Sequence, residues 1–535
     1  TPNRGDCACV LGIAREIAAI TGSELRFPDI LLHEEGPPIG TLTSVTVEDS
    51  LGCPRYAAGL LQGITIGPSP FWMRYRLFQS GVRSISNIVD VTNYVMLEMG
   101  QPLHAFDYNR LRENRIVVKR ASEGDRFTTL DGQTRDLTSE MLMIGDAGGF
   151  VGVAGIMGGL NSEIFAGTEN VLLESAFFDP ITIRRGAKRL NLSTEASYRF
   201  ERGIDIEGVT RALRRSLSLM QRLAGGRLAS GIIDNYPRPY QGPKILFRPE
   251  RANHFLGTEL SQEKMSGYFR ALAMSVGEKS DGIIQVTPPS FRVDIEREVD
   301  LIEEVARLYG YDNIPVSSPS VRLSDAQESP ELGMRERIRS LACSFGFAEV
   351  ITYSFVSPES LQSAGSVGGY SEESPVTIMN PLTTDQSVLR TSLVPGLLNT
   401  LKTNAVRGET NLRFFEWGKV FFQGKKDSLA DEKTWFAGAM SGAYRTKTWY
   451  GDDRQVDYYD AKGIIEGILK NLGVGEISFT RGTPCPPYDP ETSSRISASG
   501  TLVGYVGRVD KSVEKAFDLE NINAYLFDFD IQALL

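Results

Sequence analysis

Four carboxylates crowd one short stretch, FRVDIEREVDLIEEVARLYGYDNIP (291–315). Read as a helix whose apolar stripe is Val299, Ile302, Val305, Ala306 and Tyr309, it places Asp300, Glu303 and Glu304 at i, i+3 and i+4 on another face. Residues so spaced have Cβ atoms about 5–6 Å apart. Asp294, on the strand leading in, reaches the same spot. Four carboxylates converging there repel one another unless a cation joins them, and hard oxygen ligands of this kind suit Mg²⁺, which keeps waters or takes oxygens from a substrate or partner. The wet face of an amphipathic helix carries the same pattern, and spacing does not separate the two.

Two further residues invite a chemical reading. His104, in MGQPLHAFD, follows a helix and a proline. It is either bonded to backbone or a ring that orients a water or a substrate carbonyl. Glu174, in NVLLESAFFDP, ends an apolar strand-like run. It either pairs with one of the arginines nearby or lines a pocket. The Gly-rich run DAGGFVGVAGIMGG (146–159) does not fit GxGxxG. It reads as two tight turns joined by a buried strand, or as backbone held open for close approach of a ligand. GxxxxGK[ST], HExxH and GxSxG signatures are absent from the sequence.

What must position these residues is a long chain of ordinary composition. At 535 residues it corresponds to about three to five domains. No apolar run approaches the ~18 residues of a membrane span. With 57 Lys+Arg against 67 Asp+Glu the net charge is −10, which excludes a uniformly basic nucleic-acid binder. Residues 181–230 run the other way, with 11 basic residues against four acidic, and could meet a polyanion or simply form solvated helix faces. Five Cys make no disulfide framework. Cys7, Cys9 and Cys53 lack the partners of a closed zinc site and read as reduced thiols. No targeting segment is visible, which points to the cytoplasm.

The opening residues predict a helix with Leu11, Ile13, Ala14, Ile17, Ala18 and Ile20 on its apolar face, ending near Gly22. SVTVEDS and RIVVKR alternate like strands, SISNIVDVTNYVMLEMG reads as a helix, and DGQTRDL as a turn between strands. YPRPYQGP (236–243) is the best linker, followed by a small strand–helix–strand–helix unit to about Pro315. A polar stretch, PVSSPSVRLSDAQESP, precedes a last block with a helix at ELGMRERIRSLACSFGF and strand-like runs at EVITYSFV, RFFEWGKVFF and AYLFDFD.

Four long motifs carry a family resemblance: ISNIVDVTNYVMLEMGQPLHAFD (85–107), the run from GGLNSEI through NVLLESAFFDP to RRGAKRLNLSTEASYRFERGID (158–205), PPSFRVDIEREVDLIEEVARLYGYDNIP (288–315) and MNPLTTDQSVLRTSLVPGLL (379–398). In this order they resemble the bacterial phenylalanine–tRNA ligase beta-subunit family over essentially the whole chain. The resemblance implies an α+β multidomain fold. Its parts are the second half of a split N-terminal domain (1–44), a mixed α/β editing domain (45–236), a small DNA-binding-like α+β module (240–315), and a class II synthetase-like antiparallel-sheet domain without catalytic function (325–535). An oligonucleotide-binding-fold part before Thr1 and an anticodon-binding domain after Leu535 are expected of the family and lie outside this sequence, so tRNA binding by this chain alone is in doubt.

The resemblance also implies partners and sites. The family works as an α₂β₂ tetramer in which the alpha subunit uses ATP to charge tRNA(Phe) with phenylalanine. The beta subunit hydrolyses tyrosine wrongly attached to that tRNA. His104 and Glu174 match editing positions, as do Gly158, Thr194 and Ala196 in the pocket. Asp294, Asp300, Glu303 and Glu304 match a Mg²⁺ site shared with alpha. A pocket shaped for Phe rejects an isostere that adds a hydroxyl only about 10²-fold, which is why a second site is needed. There, a Glu174 that accepts the phenolic O–H would hold tyrosine and leave phenylalanine unmatched. Ala196 and the Gly158 region would leave room for the ring, His104 would place the ester or a water, and residues 184–227 would take phosphates. The alternative is a structural or nucleic-acid-binding assembly module with an inert pocket. Joint presence of His104, Glu174, Thr194 and Ala196 favours editing.

Overall fold

The computed structural model describes residues 2–278, 282–318, 329–365, 375–424, 428–445, 448–451, 454–482 and 486–534. Most of the polar stretch predicted to separate the last block lies outside them. The chain forms two compact units, about 1–319 and 320–535. No helix among the described residues is long and apolar enough to cross a membrane.

The first unit is built around a central sheet in the order β1 (Glu34–Pro38), β12 (Arg227–Ser230), β3 (Arg55–Gln62), β11 (Asn170–Phe177) and β4 (Leu103–Asp107), with β13 (Ile233–Asn235) also pairing with β3. β11 runs antiparallel to both β3 and β4. Its near-continuous apolar run is what a strand covered on both faces requires. Because side chains alternate, Val171 and Leu173 face one layer while Leu172, Glu174 and Ala176 face the other.

The first layer is helical: α2 (Phe71–Gln79), α3 (Asn87–Met99) and α6 (Val209–Ala224). Ile88, Val91 and Val95 of α3 and Leu213, Leu217 and Met220 of α6 pack on Ala57, Leu61, Ala105, Val171 and Leu173. The second layer is a five-stranded sheet, β10 (Met157–Gly158), β9 (Phe150–Val153), β8 (Leu142–Gly145), β5 (Arg115–Arg120) and β2 (Ser44–Val47). Together with α4 (Pro180–Leu190) and α5 (Glu195–Phe200), it covers the face carrying Tyr56, Ala58, Leu60, Phe106 and Leu172. A hairpin, β6 (Arg126–Thr128) and β7 (Thr134–Asp136), forms at DGQTRDL as its turn residues dictate.

Beyond the irregular 236–244 segment, β14 (Ile245–Phe247), β16 (Ile284–Thr287) and β15 (Ser275–Glu278) make a small antiparallel sheet. It packs on α7 (Pro249–Leu256), α8 (Gln262–Ala271) and α9 (Glu298–Tyr309) around a core of its own containing Phe247, Phe269, Ile302 and Val305.

The second unit centres on a seven-stranded sheet: β17 (Ala348–Glu349), β20 (Arg413–Phe422), β21 (Asp431–Ser441), β25 (Ala524–Asp530), β24 (Thr501–Val509), β23 (Tyr488–Ala498) and β22 (Ile477–Arg481). Only β17 joins its neighbour in parallel. α10 (Pro330–Ser344) and α13 (Tyr458–Leu472) contribute Ile338, Ile465 and Ile468 to one face. α12 (Val394–Val406) contributes Leu397, Leu398 and Leu401 to the other, where Ala364 of α11 (Pro358–Ala364) and Val513 of α14 (Lys511–Ala516) also pack. β18 (Phe355–Val356) and β19 (Val388–Leu389) form a separate short pair.

Three expectations about burial are corrected. α1 (Val10–Thr21) forms as predicted, but Ile13, Ile17 and Ile20 stand 47%, 54% and 66% exposed. The helix instead turns Ala19 toward the small module's core. In α9 the buried face includes Leu301 and Glu304, whereas Val299 is exposed. EVITYSFV is mostly irregular, with Ile351 and Tyr353 exposed rather than strand-paired.

Candidate active site

Sheet register makes the site. On β11 and β4, Glu174 and His104 are directly opposite partners, and Ala58 lies across from Glu174 on β3. Opposed residues share a face with Cβ atoms about 4.5–5.5 Å apart, so a carboxyl and an imidazole separated by 70 positions emerge side by side between the two sheets. Tyr56, two residues before Ala58, lies on that face too. Its fully buried hydroxyl donates to Glu174 Oε2 at 2.8 Å.

The residues open onto a recess of about 430 Å³, counted out to solvent, lined by Leu103, His104, Phe106, Ile144, Ile156, Gly158, Glu174, Ala196 and Phe200 among others. An apolar lining with few polar groups suits a side-chain pocket. The Gly-rich run supplies one wall, with Gly152 through Gly158 on its rim. The turns-and-strand reading of that run holds: turns flank the strand β9. Gly155 sits at φ +65°, where a Cβ would lie 2.9 Å from the Phe178 and Phe200 rings. At Gly158 a Cβ would lie 2.4 Å from His104 Cε1 and 2.7 Å from Nε2. Glycine there is the condition for the imidazole's position.

Electrostatics follow from burial. Desolvation raises the Glu174 carboxyl to about 7, although the Tyr56 hydrogen bond pulls the other way. Burial lowers His104 to about 4, so at neutral pH the ring is uncharged. His104 Nε2 is enclosed and has no hydrogen-bond partner among the described residues. The ring leans edge-on against Phe106, centroids 4.5 Å apart. An enclosed, unpartnered ring nitrogen is costly unless something docks against it. A tyrosine–carboxylate pair alone marks no site: in the second unit, Tyr488 donates to the buried Asp528, likewise raised to about 7 by desolvation, within the packed core.

Of the predicted pocket residues, His104, Gly158, Glu174 and Ala196 come together. Thr194 does not join the lining. Its hydroxyl caps α5, accepting from Ser197 N–H at 3.1 Å and donating to Ile156 C=O at 2.9 Å, which fastens the pocket wall to the helix that carries Ala196.

The four carboxylates of the expected Mg²⁺ cluster are engaged by arginines and backbone N–H groups or lie exposed. Asp294 takes a two-pronged bond from the buried Arg292 at 2.9 and 2.8 Å. Glu304 accepts from Arg292 at 2.9 Å and from Arg307 at 2.7 Å. Burial alone would raise Glu304, yet these arginines outweigh it and hold the carboxyl at about 2. Asp300 accepts from the N–H groups of Glu296 and Arg297 at the start of α9, and Glu303 is exposed. No three of these carboxylates gather within reach of one ion among the described residues, where Asp6, Cys7 and Glu16 are the grouping that does, already bridged by Arg4. The charge that was to call for Mg²⁺ is met by arginine, so the four residues in this chain do not fit a preformed Mg²⁺ site. Replacing Arg292 by Met should therefore destabilise the small module by about 3 kcal/mol. Mg²⁺ should leave the parent's thermal unfolding unchanged, and a saturable shift would contradict this.

Cys9 accepts from Gly12 N–H at the start of α1, and Cys53 is buried with its thiol raised by desolvation; both are free thiols, as are Cys7 and Cys343.

The chain matches the B3/4 domain model over residues 52–225, the tRNA synthetase B5 domain model over 245–311, and the phenylalanyl tRNA synthetase beta chain CLM domain model over 314–531. It is 44% identical over 537 residues to the phenylalanine–tRNA ligase beta subunit of Syntrophus aciditrophicus, with all of this chain and 67% of that protein aligned. The corresponding protein of Geobacter sulfurreducens is also 44% identical, over 535 residues, with the same coverage of each chain. The chain belongs to the phenylalanine–tRNA ligase beta-subunit family. Its role is that of a beta subunit in a ligase complex.

Within this family member, Tyr56 is the residue of the recess's polar group that sequence reasoning missed. Its position two residues before Ala58 carries no signal until β3 is paired with β11. Part of the basic stretch forms a bare surface on α4, and Arg211, Arg214, Arg222 and Arg227 are likewise exposed without a carboxylate partner among the described residues. α4 buries Ile183, Gly186 and Ala187 while Arg184, Arg185, Lys188 and Arg189 are exposed. Among the described residues only Arg189 approaches a carboxylate, Glu140 at 3.9 Å. By contrast Arg199, Arg202 and Arg215 are engaged by Glu195, Glu201 and Glu98.

Proposed function

We propose that the recess between the two sheets hydrolyses tyrosine wrongly esterified to tRNA(Phe), while the alpha subunit of an α₂β₂ assembly performs the ATP-dependent charging. The observation that carries this reading is the enclosed, unpartnered Nε2 of a neutral His104 set beside Glu174 in an apolar recess. Tyr56 occupies Glu174 Oε2, and Oε1 has no protein donor among the described residues. A phenolic O–H entering the recess supplies that donor. A phenylalanyl ring enters the same space and leaves the carboxylate unmatched. His104, uncharged at neutral pH, is a weak base; its task is to hold the ester or an attacking water by one hydrogen bond, and positioning suffices for an activated ester. The exposed arginines of α4, whose buried side packs against Ile156 of the pocket wall, receive phosphates of the acceptor end.

The domain boundaries follow the same reading: 1–44, editing over 45–236, the small module over 240–315 and a class II synthetase-like domain over 325–535, in a cytoplasmic protein. Any Mg²⁺ shared with alpha would require alpha to displace the arginines from Asp294 and Glu304.

The test is ester loss from tRNA(Phe) charged with tyrosine or with phenylalanine, with and without alpha. Faster loss of tyrosine that disappears in His104→Ala supports editing. Equal loss of both esters, or none with alpha present, favours the inert assembly module. Gly158→Ala should lower tyrosine release by on the order of 10²-fold, because the new methyl displaces the imidazole, and cost about 1–3 kcal/mol of stability. Single-turnover rates and a denaturant melt check both.

A further inference from the structure

On the opposite side of the central sheet from the pocket, α2 presents a second, unrelated surface. Met73 and Leu77 fix the helix to α3. The other side carries Phe71, Tyr75 and Phe78 at i, i+4 and i+7, exposed by 77%, 49% and 78%. Phe71 and Tyr75 stack with centroids 5.8 Å apart and planes 18° from parallel. Arg74 and Arg83 are exposed and meet no carboxylate among the described residues, and Arg76 lies over Trp72 while donating to Tyr94 Oη at 2.7 Å. Phe71, Arg74, Tyr75, Phe78 and Arg83 line an open recess of about 1150 Å³ with the 81–84 turn.

Charge decides what fits there. Although the chain carries −10 overall, no Asp or Glu occurs between Asp49 and Asp90. Asp90 itself is buried, accepting from Ser84 Oγ and Ile85 N–H. An apolar partner alone would gain nothing from the arginines, and an acidic peptide nothing from the row of flat rings. Unpaired nucleotides use both: bases stack on aromatic faces while phosphates meet guanidinium groups. We propose that α2 and the 81–84 turn bind a single-stranded segment of nucleic acid, at a site separate from the editing recess and from α4.

The experiment is fluorescence anisotropy of a labelled 12-nucleotide oligouridylate, and of a duplex containing it, with the full 535-residue chain. The parent should bind the single strand at least tenfold more tightly than the duplex, whose bases cannot stack. Phe71→Ser with Phe78→Ser, and separately Arg74→Glu, should each weaken single-strand binding tenfold or more. Circular dichroism melts matching the parent would show these surface variants to be folded. Arg184→Glu with Lys188→Glu on α4 should lower affinity for strand and duplex alike and leave the preference for the single strand in place. Absence of binding, equal affinity for strand and duplex, or a preference lost in the α4 variant and kept in the α2 variants would each overturn the proposal. Because the readout needs no ester hydrolysis, the result is independent of the editing reading.

Discussion

Glu174→Ala should reduce the preference for tyrosyl over phenylalanyl ester by roughly 10²- to 10⁴-fold, the range between a pocket that merely accommodates a hydroxyl and one that hydrogen-bonds it. The reason lies in which carboxylate oxygen is spoken for. Tyr56 donates to Oε2 only, so the parent pocket completes its hydrogen bonding when a phenol arrives and not when a bare ring does. Alanine removes the acceptor and enlarges the recess, so tyrosine loses its advantage and both esters are hydrolysed slowly at similar rates. Glu174→Gln keeps a carbonyl acceptor and should retain part of the preference. Tyr56→Phe keeps the carboxylate but removes its donor, so the Glu174 carboxyl should move above about 7 and the pH at which tyrosine preference is half-developed should rise with it. The ratio of single-turnover rates for the two esters checks the series. A ratio unchanged in Glu174→Ala would remove the carboxylate from recognition.

The second large effect is on stability, where His104 and Glu174 oppose each other. Folded Glu174 keeps its proton up to about 7, whereas the unfolded chain loses it near 4.5. The folded state therefore binds more protons across that window, and its stability falls as pH rises through it. Folded His104 refuses a proton down to about 4, whereas the unfolded chain takes one up near 6.5. Its contribution is fully present above 6.5 and is lost as pH falls toward 4. Each shift corresponds to about 3 kcal/mol. Between pH 4.5 and 6.5 the two slopes are of opposite sign and nearly cancel, so the pair adds little pH dependence to the parent. Glu174→Gln should expose the histidine slope, gaining stability as pH rises from about 4.5 to about 6.5 and holding it above, where the parent loses stability toward about 7. His104→Leu should expose the glutamate slope and lose stability as pH rises. Urea unfolding of each variant and the parent at half-unit intervals from pH 4.5 to 7.5 reads the differences directly. Parallel curves would mean that neither group is shifted.

Local pattern made much of this visible before the fold was known. The apolar run Val171–Leu172–Leu173 announces a strand covered on both faces, and Glu174 at its end stands out because such a strand has no inexpensive place for a carboxyl. What the pattern withheld was pairing. Tyr56 and Glu174 are 118 residues apart, and only the register of β3, β11 and β4 brings Tyr56, Glu174 and His104 to one face. The same limit explains the carboxylates. Helical spacing correctly set Asp300, Glu303 and Glu304 within a turn of one another, but Arg292 and Arg307, two residues before Asp294 and three after Glu304, turn repulsion into ion pairs. Thr194 is a similar case: the residue matters to the site through α5's first turn rather than through the recess. α1 shows that periodicity reports an apolar face without reporting what covers it, since Ile13, Ile17 and Ile20 remain exposed.

The central claim, that an enclosed neutral imidazole waits beside Glu174 for a tyrosyl ester, is tested most directly by NMR of the chain labelled in its three histidines. One signal, assigned by its loss in His104→Leu, should hold its position from pH 8 down to about pH 5. It should move on addition of a non-hydrolysable amide of tyrosine on 3′-amino-adenosine, and much less with the phenylalanine amide. A His104 signal that titrates near 6.5, or one that responds alike to both amides, would contradict the account.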